Sequence, residues 1–356
     1  MKLPSYQEVK QMHIIAMPAF KNRQQNPYNW LLYSSIKQLG INVDEFATHR
    51  LLDKKYNIWH LHWPEVPLNH KNQFKALMKI KSLFLQMDWA KSQGIKLVWT
   101  AHNLANHERL YPELEAWFWH SFTQRLDGYI SLSHSGLEAI QKCFPELKNI
   151  PGFVIPHNHY RGEYPDEVNR EEARQRLGIS SHAKMVLFFG RIRSYKNVPQ
   201  LLTAFRKFSD RDALLYIAGS AEMPALAELC AREIILNSRL RIQLNFVSQT
   251  VTQLYFRAAD LVILPYSEIF NSGAALLSLS FNRPVLVPLR GAMAELQAQV
   301  GQEWVRTYEG VISPDDIKTA LAWALNTPRP QQAPLEDFDI KKLAQQTIDV
   351  YQKIAI

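Results

Sequence analysis

The sequence has few cysteines, no long apolar run and no metal-binding spacing of cysteine and histidine. Cys143 and Cys230 are the only cysteines among 356 residues and lie far apart in the chain. Neither a disulfide framework nor a zinc site is therefore predicted. No stretch reaches the roughly 18 uninterrupted apolar residues of a membrane span, and the amino terminus, MKLPSYQEVKQM, lacks the apolar centre of a signal peptide. We expect a cytoplasmic protein.

The positive charge is concentrated in the first half of the chain. The net charge is +8, and residues 1–165 carry 19 lysines and arginines against 13 acidic residues. Such an excess suits nucleic acid, an anionic membrane or a phosphorylated substrate. The chain has no arginine-rich tract, zinc-finger spacing or helix-turn-helix pattern, so nucleic acid is not the expected partner.

Short apolar runs alternate with amphipathic stretches along the whole chain, which is typical of βαβ units. The runs form two series, which predict an α/β protein with two doubly wound parallel sheets. The first series is Met12 to Met17, Ile58 to Leu61, Leu97 to Thr100, Tyr129 to Leu132 and Phe153 to Ile155; the second is Met185 to Phe189, Leu214 to Ala218, Ile242 to Val247, Leu261 to Leu264 and Val285 to Val287.

A polar, charged segment, GEYPDEVNREEAR, separates the two series and predicts a domain boundary near Tyr164. We expect residues 1–164 to form the first domain and 165–337 the second. The proline-rich segment TPRPQQAPLEDFD is followed by helical periodicity from Ile340 to Ile354. We expect the last helix, about residues 338–356, to pack back on the first domain.

The stretch FFGRIRSYK carries the strongest chemical signal. An apolar strand ends at Gly190, and Arg191 and Lys196 follow within one turn. Open α/β sheets bind ligands at the carboxyl ends of their strands, and an arginine fork with a lysine suits phosphate oxygens. The alternative is a surface turn with two solvated cations.

A second phosphate-binding candidate is FNSGAALL, which follows the strand at Leu261 to Leu264. Ser272 is a good helix cap, and Gly273 lets a ligand approach the amides at the start of the helix. A helix capped in this way is common, but its start and the Arg191 turn are predicted at the same edge of one sheet. Two anion sites at one edge indicate one diphosphate.

These segments, in this order, resemble the nucleotide-sugar glycosyltransferases of the GT-B fold, family 4 and its relatives of bacterial exopolysaccharide clusters. The resemblance implies two Rossmann-like domains facing across a cleft, a nucleotide-sugar donor and no metal or other cofactor. It is carried by FFGRIRSYKNVPQLLTAF, LYIAGS, VTQLYFRAADLVILPYSE, NSGAALLSLSFNRPVLVP and GAMAEL.

The resemblance assigns roles to residues of the second domain. Arg191 and Lys196 match the pair that stabilises the departing diphosphate, and Glu268 lies near the position of a glutamate close to the donor sugar. Leu277 occupies the place of the glutamate that holds the ribose in that family, so either Glu295 takes this role or the ribose is held differently. The remaining donor-binding candidates are Gly190, Asn271, Ser272, Gly273 and Ala274.

In the first domain, His102 in TAHNLANHE directly follows a strand, where the resemblance places a histidine near the donor sugar. A lone histidine is more often structural. The segment WHLHWPE, Trp59 to Glu65, either stacks on a sugar or packs in the core. The further candidates for the acceptor side or the cleft are Asn26, Tyr28, His107, Glu108, His134 and His157.

The segment from Lys71 to Lys91 resembles a basic amphipathic helix. Such a helix either packs on its own sheet or touches an anionic membrane. Peripheral contact with the inner face of the plasma membrane would suit a lipid-linked acceptor.

The resemblance implies a hexosyltransferase that moves glucose from UDP-glucose, the commoner donor among relatives, to a lipid-linked saccharide in exopolysaccharide assembly, with retention of anomeric configuration. Inversion would require a base, with His102 or Glu108 as the candidates. The alternatives are a UDP-sugar 2-epimerase and a catalytically silent nucleotide-sugar binding protein.

Overall fold

A computed structural model describes residues 12–53, 55–106, 108–221, 223–271 and 273–355. The chain divides into two compact units. Unit 1 comprises Met1–Asn158 and Asp337–Ile356, and unit 2 comprises His159–Glu336. The division falls a few residues before the predicted boundary at Tyr164. The reason is that Tyr160 and Arg161 already hydrogen-bond within unit 2, to Ser280 and Asn282.

Unit 1 contains a six-stranded parallel sheet with the order β2-β1-β3-β4-β5-β6. Its buried strands are rich in apolar residues, as expected for a parallel sheet covered on both faces. The strands are β1 (His13–Met17), β2 (Asn42–Glu45), β3 (Ile58–His62), β4 (Lys96–Ala101), β5 (Gly128–Ser131) and β6 (Gly152–Val154).

The helices of unit 1 include the last helix of the chain, which packs against the first helix. Leu343, Ile348, Tyr351 and Ile354 join residues of β1, β3 and β5 in one buried cluster. The helices are α1 (Tyr28–Gln38), α2 (Thr48–Leu51), α3 (Gln73–Ser92), α4 (Pro112–Thr123), α5 (His134–Cys143) and the last, α13 (Ile340–Ala355).

Unit 2 contains a second six-stranded parallel sheet with the order β12-β11-β10-β7-β8-β9. The strands are β7 (Lys184–Phe189), β8 (Ala213–Ala218), β9 (Leu240–Gln243), β10 (Leu261–Ile263), β11 (Val285–Pro288) and β12 (Val305–Tyr308). The helices are α6 (Arg170–Arg176), α7 (Val198–Lys207), α8 (Pro224–Leu236), α9 (Gln249–Ala258), α10 (Gly273–Ser280), α11 (Met293–Val300) and α12 (Pro314–Asn326).

The apolar runs predicted the inner strands well and the edge strands poorly. β2 (NVDE) and β12 (VRTY) were not predicted, because both are short and polar edge strands. β9 is Leu240–Gln243 and not the predicted Ile242 to Val247. An edge strand has one neighbour and one exposed side, so its sequence needs less apolar character.

In each sheet successive strands are added on one side of the starting strand and then on its other side. The change of side creates a switch point between two neighbouring strands. The switch lies between β1 and β3 in unit 1 and between β7 and β10 in unit 2. Ligands of open α/β sheets bind outside the carboxyl ends of the strands at such points. The loops after these four strands are therefore the places to look for a site. No helix in the described ranges is long and apolar enough to cross a membrane.

Candidate functional site

The end of β7 brings a lysine ammonium group over a glycine backbone. Gly190 has φ 128°, a conformation that favours glycine. A Cβ added to Gly190 would lie 3.1 Å from Lys196 Nζ. The missing side chain therefore leaves room for the ammonium group at the carboxyl end of the strand, at the switch point of unit 2.

The loop after β10 lies directly beside this turn. The backbone N–H of Ser267 donates to the carbonyl of Tyr195 at 2.8 Å, and Lys196 Nζ lies 5.2 Å from the ring centroid of Tyr266. The Tyr266 hydroxyl is buried without a hydrogen-bond partner among the described residues. The two loops thus form one edge with a cation and an unused hydroxyl.

Asn271 adds two further unused polar atoms to the same loop. Its Oδ1 and Nδ2 are both buried and have no partner in the described part of the chain. Buried amides are normally hydrogen-bonded, so a ligand is a natural source of partners. Gly273 opens α10, with half-buried Gly273 and Ala274 in its first turn. Ser272, the predicted cap, lies outside the described residues.

The other predicted donor residues lie at the rim of this edge or in the core. Arg191 and Glu268 are exposed, and Glu295 is half-buried in the first turn of α11. The loop before α11 touches the β10 loop, because a Cβ on Gly291 would lie 2.2 Å from the carbonyl oxygen of Ile269. Leu277 is 7% exposed and packs in the core of unit 2.

In unit 1, three histidine rings surround Tyr28 near the switch point. The ring centroid of Tyr28 lies 5.2 Å from that of His102, 4.5 Å from that of His157 and 6.0 Å from that of His62. Trp63 stacks on His102 at 4.1 Å with an interplanar angle of 18°. The structure therefore brings together three predicted residues, Tyr28, His102 and His157.

Behind His102 a chain of hydrogen bonds runs into the core. His102 Nε2 lies 2.9 Å from His62 Nδ1, and His62 Nε2 lies 2.6 Å from the Tyr33 hydroxyl. The Tyr33 hydroxyl is 2.8 Å from His60 Nδ1. Two further hydroxyls complete what we call the histidine–tyrosine chain: Tyr351 at 2.6 Å from His60 Nδ1 and Thr100 at 2.8 Å from His60 Nε2.

Burial keeps these histidines neutral. Loss of solvation lowers the pKa of His60 to about 3 and that of His157 to about 4. Burial also holds the pKa values of His62 and His102 well below the usual value, with smaller contributions from the neighbouring histidines. Neutral imidazoles can each donate one and accept one hydrogen bond.

The remaining described candidates of the first domain lie in loops or at the start of a helix. Asn26 Oδ1 accepts the N–H of Tyr28 at 3.1 Å and so helps to fix the start of α1. Glu108 is exposed, and its N–H donates to Asn106 Oδ1 at 3.0 Å. His134 is exposed at the start of α5, which Ser133 caps. His107 lies outside the described residues.

The backbone amides of the loop after β1 bind the side chain of Glu45, a contact that the sequence did not predict. Glu45 Oε2 accepts the N–H groups of Ala19, Phe20 and Lys21 at 3.1, 2.7 and 3.1 Å. The amides of residues 19–21 therefore bind a carboxylate of the protein itself.

Sequence reasoning missed most of the buried polar residues of unit 1. The alternation in WHLHWPE drew attention to His60 and His62, but the pattern fitted stacking on a sugar and packing in the core equally well. Trp59 packs in the core, with its ring stacked on that of Phe46 at 4.8 Å between centroids. Glu65 in the same segment accepts from Asn103 at 3.2 Å, and burial raises its pKa to about 7. No group of three or more metal-ligating side chains occurs among the residues that the structure describes.

Part of the chain matches a known protein family, and most of it aligns with a known enzyme. Residues 169–296 match the family model Glycosyl transferases group 1. The GDP-mannose:glycolipid 4-beta-D-mannosyltransferase of Xanthomonas campestris pv. campestris is 29% identical over 324 residues, covering 91% of this chain and 87% of that protein.

Two solved structures show the same fold at low sequence identity. The Anabaena protein Alr3699/HepE in complex with UDP-glucose matches with a TM-score of 0.64 and 14% identity, covering 97% of this chain and 98% of that one. Sucrose-phosphate synthase from Thermosynechococcus elongatus matches with a TM-score of 0.62 and 16% identity, covering 97% and 96%. The predicted fold class is confirmed, because the chain has the two parallel six-stranded sheets of the GT-B fold. Residues 169–296 match the group 1 glycosyltransferase model.

Proposed function

We propose that this protein transfers a mannosyl group from GDP-mannose to a glycolipid acceptor. The observation that carries sugar transfer is the placement of Lys196 Nζ over Gly190 at the switch point of unit 2. On the loop after β10, the buried amide of Asn271 has no hydrogen-bond partner among the described residues. The choice of GDP-mannose is supported by the Xanthomonas relative, whose alignment covers 91% of this chain. UDP-glucose, the donor expected from the sequence, becomes the alternative.

The chemistry assigned to unit 2 is stabilisation of a leaving diphosphate. Glycosyl transfer passes through an oxocarbenium-like state, and the departing diphosphate gains negative charge. Lys196, held over Gly190, and Arg191, exposed beside it, supply positive charge at the same strand end. A preorganised cation stabilises such charge without a proton transfer. We therefore propose that the reaction proceeds without a metal ion.

A donor panel tests the proposal. Membranes containing endogenous glycolipids are incubated with the protein and radiolabelled GDP-mannose, UDP-glucose or ADP-glucose, with and without EDTA. We expect label in the lipid extract with GDP-mannose at least tenfold above the other donors, unchanged by EDTA. Label from UDP-glucose alone would restore the original prediction, and donor binding without transfer would favour a silent binding protein. A product epimerised at C2 would favour the 2-epimerase.

The anomeric configuration of the product bears on the mechanism. The name of the Xanthomonas relative specifies a β linkage, whereas the sugar of GDP-mannose is α-linked. A β product would therefore require inversion and a base, in place of the retention expected from the sequence. NMR of the isolated product distinguishes the two outcomes through the coupling at its anomeric carbon.

We further propose that α3 binds an anionic membrane surface, which would give access to a glycolipid. Phe74, Met78 and Leu85 are 69%, 51% and 71% exposed, and they follow one another at helical spacing on the outer side of α3. Lys75 and Lys79 are exposed beside them. The opposite side of the helix is buried, so packing on the sheet does not use this stripe.

Vesicle flotation tests this contact. The triple variant Phe74→Ser, Met78→Ser, Leu85→Ser should bind phosphatidylglycerol vesicles at least fivefold less than the unchanged protein, because interfacial binding scales with buried apolar area and anionic attraction. The matched control is Ile235→Ser, an 84% exposed apolar residue of unit 2. Equal binding by the triple variant, or equal loss in the control, contradicts the assignment to α3.

A further inference from the structure

Thr100, at the inner end of the histidine–tyrosine chain, determines which groups of the chain donate and which accept. Thr100 is 1% exposed, and its hydroxyl has one hydrogen-bond partner among the described residues, His60 Nε2. If His60 Nε2 carried the proton, the Thr100 hydroxyl would accept it and its own O–H would have no acceptor. A buried donor without an acceptor is costly. The Thr100 hydroxyl therefore donates to His60 Nε2.

The positions of the other protons follow from the position of the Thr100 proton. Neutral His60 then carries its proton on Nδ1 and donates it to a tyrosine hydroxyl, either Tyr351 or Tyr33. The one other hydrogen-bond partner of the Tyr33 hydroxyl among the described residues is His62 Nε2, at 2.6 Å. The Tyr33 hydroxyl therefore donates its proton to His62 Nε2.

The last link reaches the surface. His62, accepting at Nε2, carries its proton on Nδ1 and donates it to His102 Nε2 at 2.9 Å. His102 is half-exposed, and its Nδ1 has no partner within the described ranges. In this direction one buried hydroxyl, that of Tyr351, has no acceptor among the described residues. In the reverse direction, with His62 Nε2 protonated, two buried hydroxyls lack an acceptor: that of Thr100 and that of one of the two tyrosines.

We propose that the histidine–tyrosine chain holds neutral His102 in the tautomer with the proton on Nδ1, so that His102 donates a hydrogen bond to a substrate oxygen and does not act as a base. His62, Tyr33, His60, Tyr351 and Thr100 are then positioning residues. The identity of the oxygen, a sugar hydroxyl or a phosphate, rests on the proposed function, whereas the tautomer does not. For an inverting reaction, Glu108 is left as the candidate base.

Nitrogen NMR of the full-length protein labelled with ¹⁵N-histidine tests the tautomer directly, without substrate. The His102 signals are assigned as those lost in His102→Asn. At neutral pH we expect Nδ1 in the protonated range and Nε2 in the unprotonated range, with the Nδ1–H form favoured roughly tenfold or more. A His102 protonated on Nε2, or on both nitrogens, overturns the proposal.

Two tyrosine variants test the path. Tyr33→Phe removes the group that connects His60 to His62, so the His102 signals should move toward an average of both tautomers. Tyr351→Phe removes an equally buried hydroxyl, but Tyr33 still bonds to both His60 and His62, so the signals should stay unchanged. If both variants leave the tautomer unchanged, the chain does not set it. If either variant fails to fold, the spectrum of the unchanged protein still shows which nitrogen of His102 carries the proton.

An activity comparison tests the donor role. The amide nitrogen of asparagine can replace a histidine Nδ1–H but cannot replace a base. We expect His102→Ala to lower kcat for mannosyl transfer from GDP-mannose by about 100-fold and His102→Asn to recover most of that loss. Equal loss in both variants contradicts the donor role. Absence of transfer by the unchanged protein would contradict the proposed function and leave the NMR result standing.

Discussion

Substituting Lys196 by alanine is expected to lower kcat for sugar transfer by about 100- to 1000-fold. This is the usual effect of removing one preorganised group that stabilises developing negative charge. Lys196 Nζ is held in place over Gly190 and beside the Tyr266 ring, so its charge is already positioned when the diphosphate leaves. The substitution creates no cavity in the core, because Lys196 is only half-buried.

The measurement separates this role from a loss of folding. Steady-state kinetics with GDP-mannose should show the loss mainly in kcat, with weaker GDP binding by calorimetry and an unchanged melting temperature. Lys207→Ala is the matched control, because this exposed lysine ends α7, the helix that follows Lys196. Transfer by Lys196→Ala at more than half the rate of Lys207→Ala would show that Lys196 is a solvated surface cation.

Acidification from pH 7 to pH 5 is expected to lower the melting temperature by roughly 10 °C. His60 and His157 have folded pKa values of about 3 and about 4 against the ordinary 6.5. The folded state therefore binds fewer protons than the unfolded state, and the free energy of unfolding falls as the pH drops below 6.5. At pH 5 the lowered pKa of each of these two histidines reduces the free energy of unfolding by about 2 kcal/mol. The lowered pKa values of His62 and His102 act in the same direction.

One carboxyl group opposes this effect and provides an internal check. Burial raises the pKa of Glu65 from 4.5 to about 7. Between pH 7 and pH 4.5, Glu65 is therefore protonated in the folded protein and ionised in the unfolded chain. Acidification through this window stabilises the fold by about 2 kcal/mol, less than the histidines cost together. Glu65→Gln should therefore show a steeper decline on acidification. Equal melting temperatures at pH 5 and pH 7 in both proteins would show that the histidines are not neutral in the fold.

Much of the second unit could be predicted from the sequence because its signals are local. Gly190, Arg191 and Lys196 follow one apolar strand directly, and the carboxyl ends of parallel strands share an edge. The placement of Lys196 over Gly190 depends on the φ of 128° at Gly190. The approach of the Tyr266 loop follows from the pairing of β7 with β10, two strands that lie apart in sequence.

The first unit was harder to predict because its buried polar groups come from distant parts of the chain. Tyr28, His102 and His157 were predicted one by one, as residues after strands or in loops. His60 and Tyr351, which form one hydrogen bond, are 291 positions apart. Periodicity identifies a helix at Ile340–Ala355, but it does not say which hydroxyl of that helix meets which imidazole.

The sequence by itself determined the number of the inner strands and their succession along the chain. It also predicted an anion site at the end of β7 and placed Leu277 where the resemblance expects the glutamate for the ribose. These features depend on neighbouring residues, which the chain holds together covalently. Only the tertiary structure decided the order of the strands in each sheet, the binding of Glu45 to the amides after β1 and the histidine–tyrosine chain behind His102. Each of these needs side chains brought together by burial, where every donor must find its acceptor.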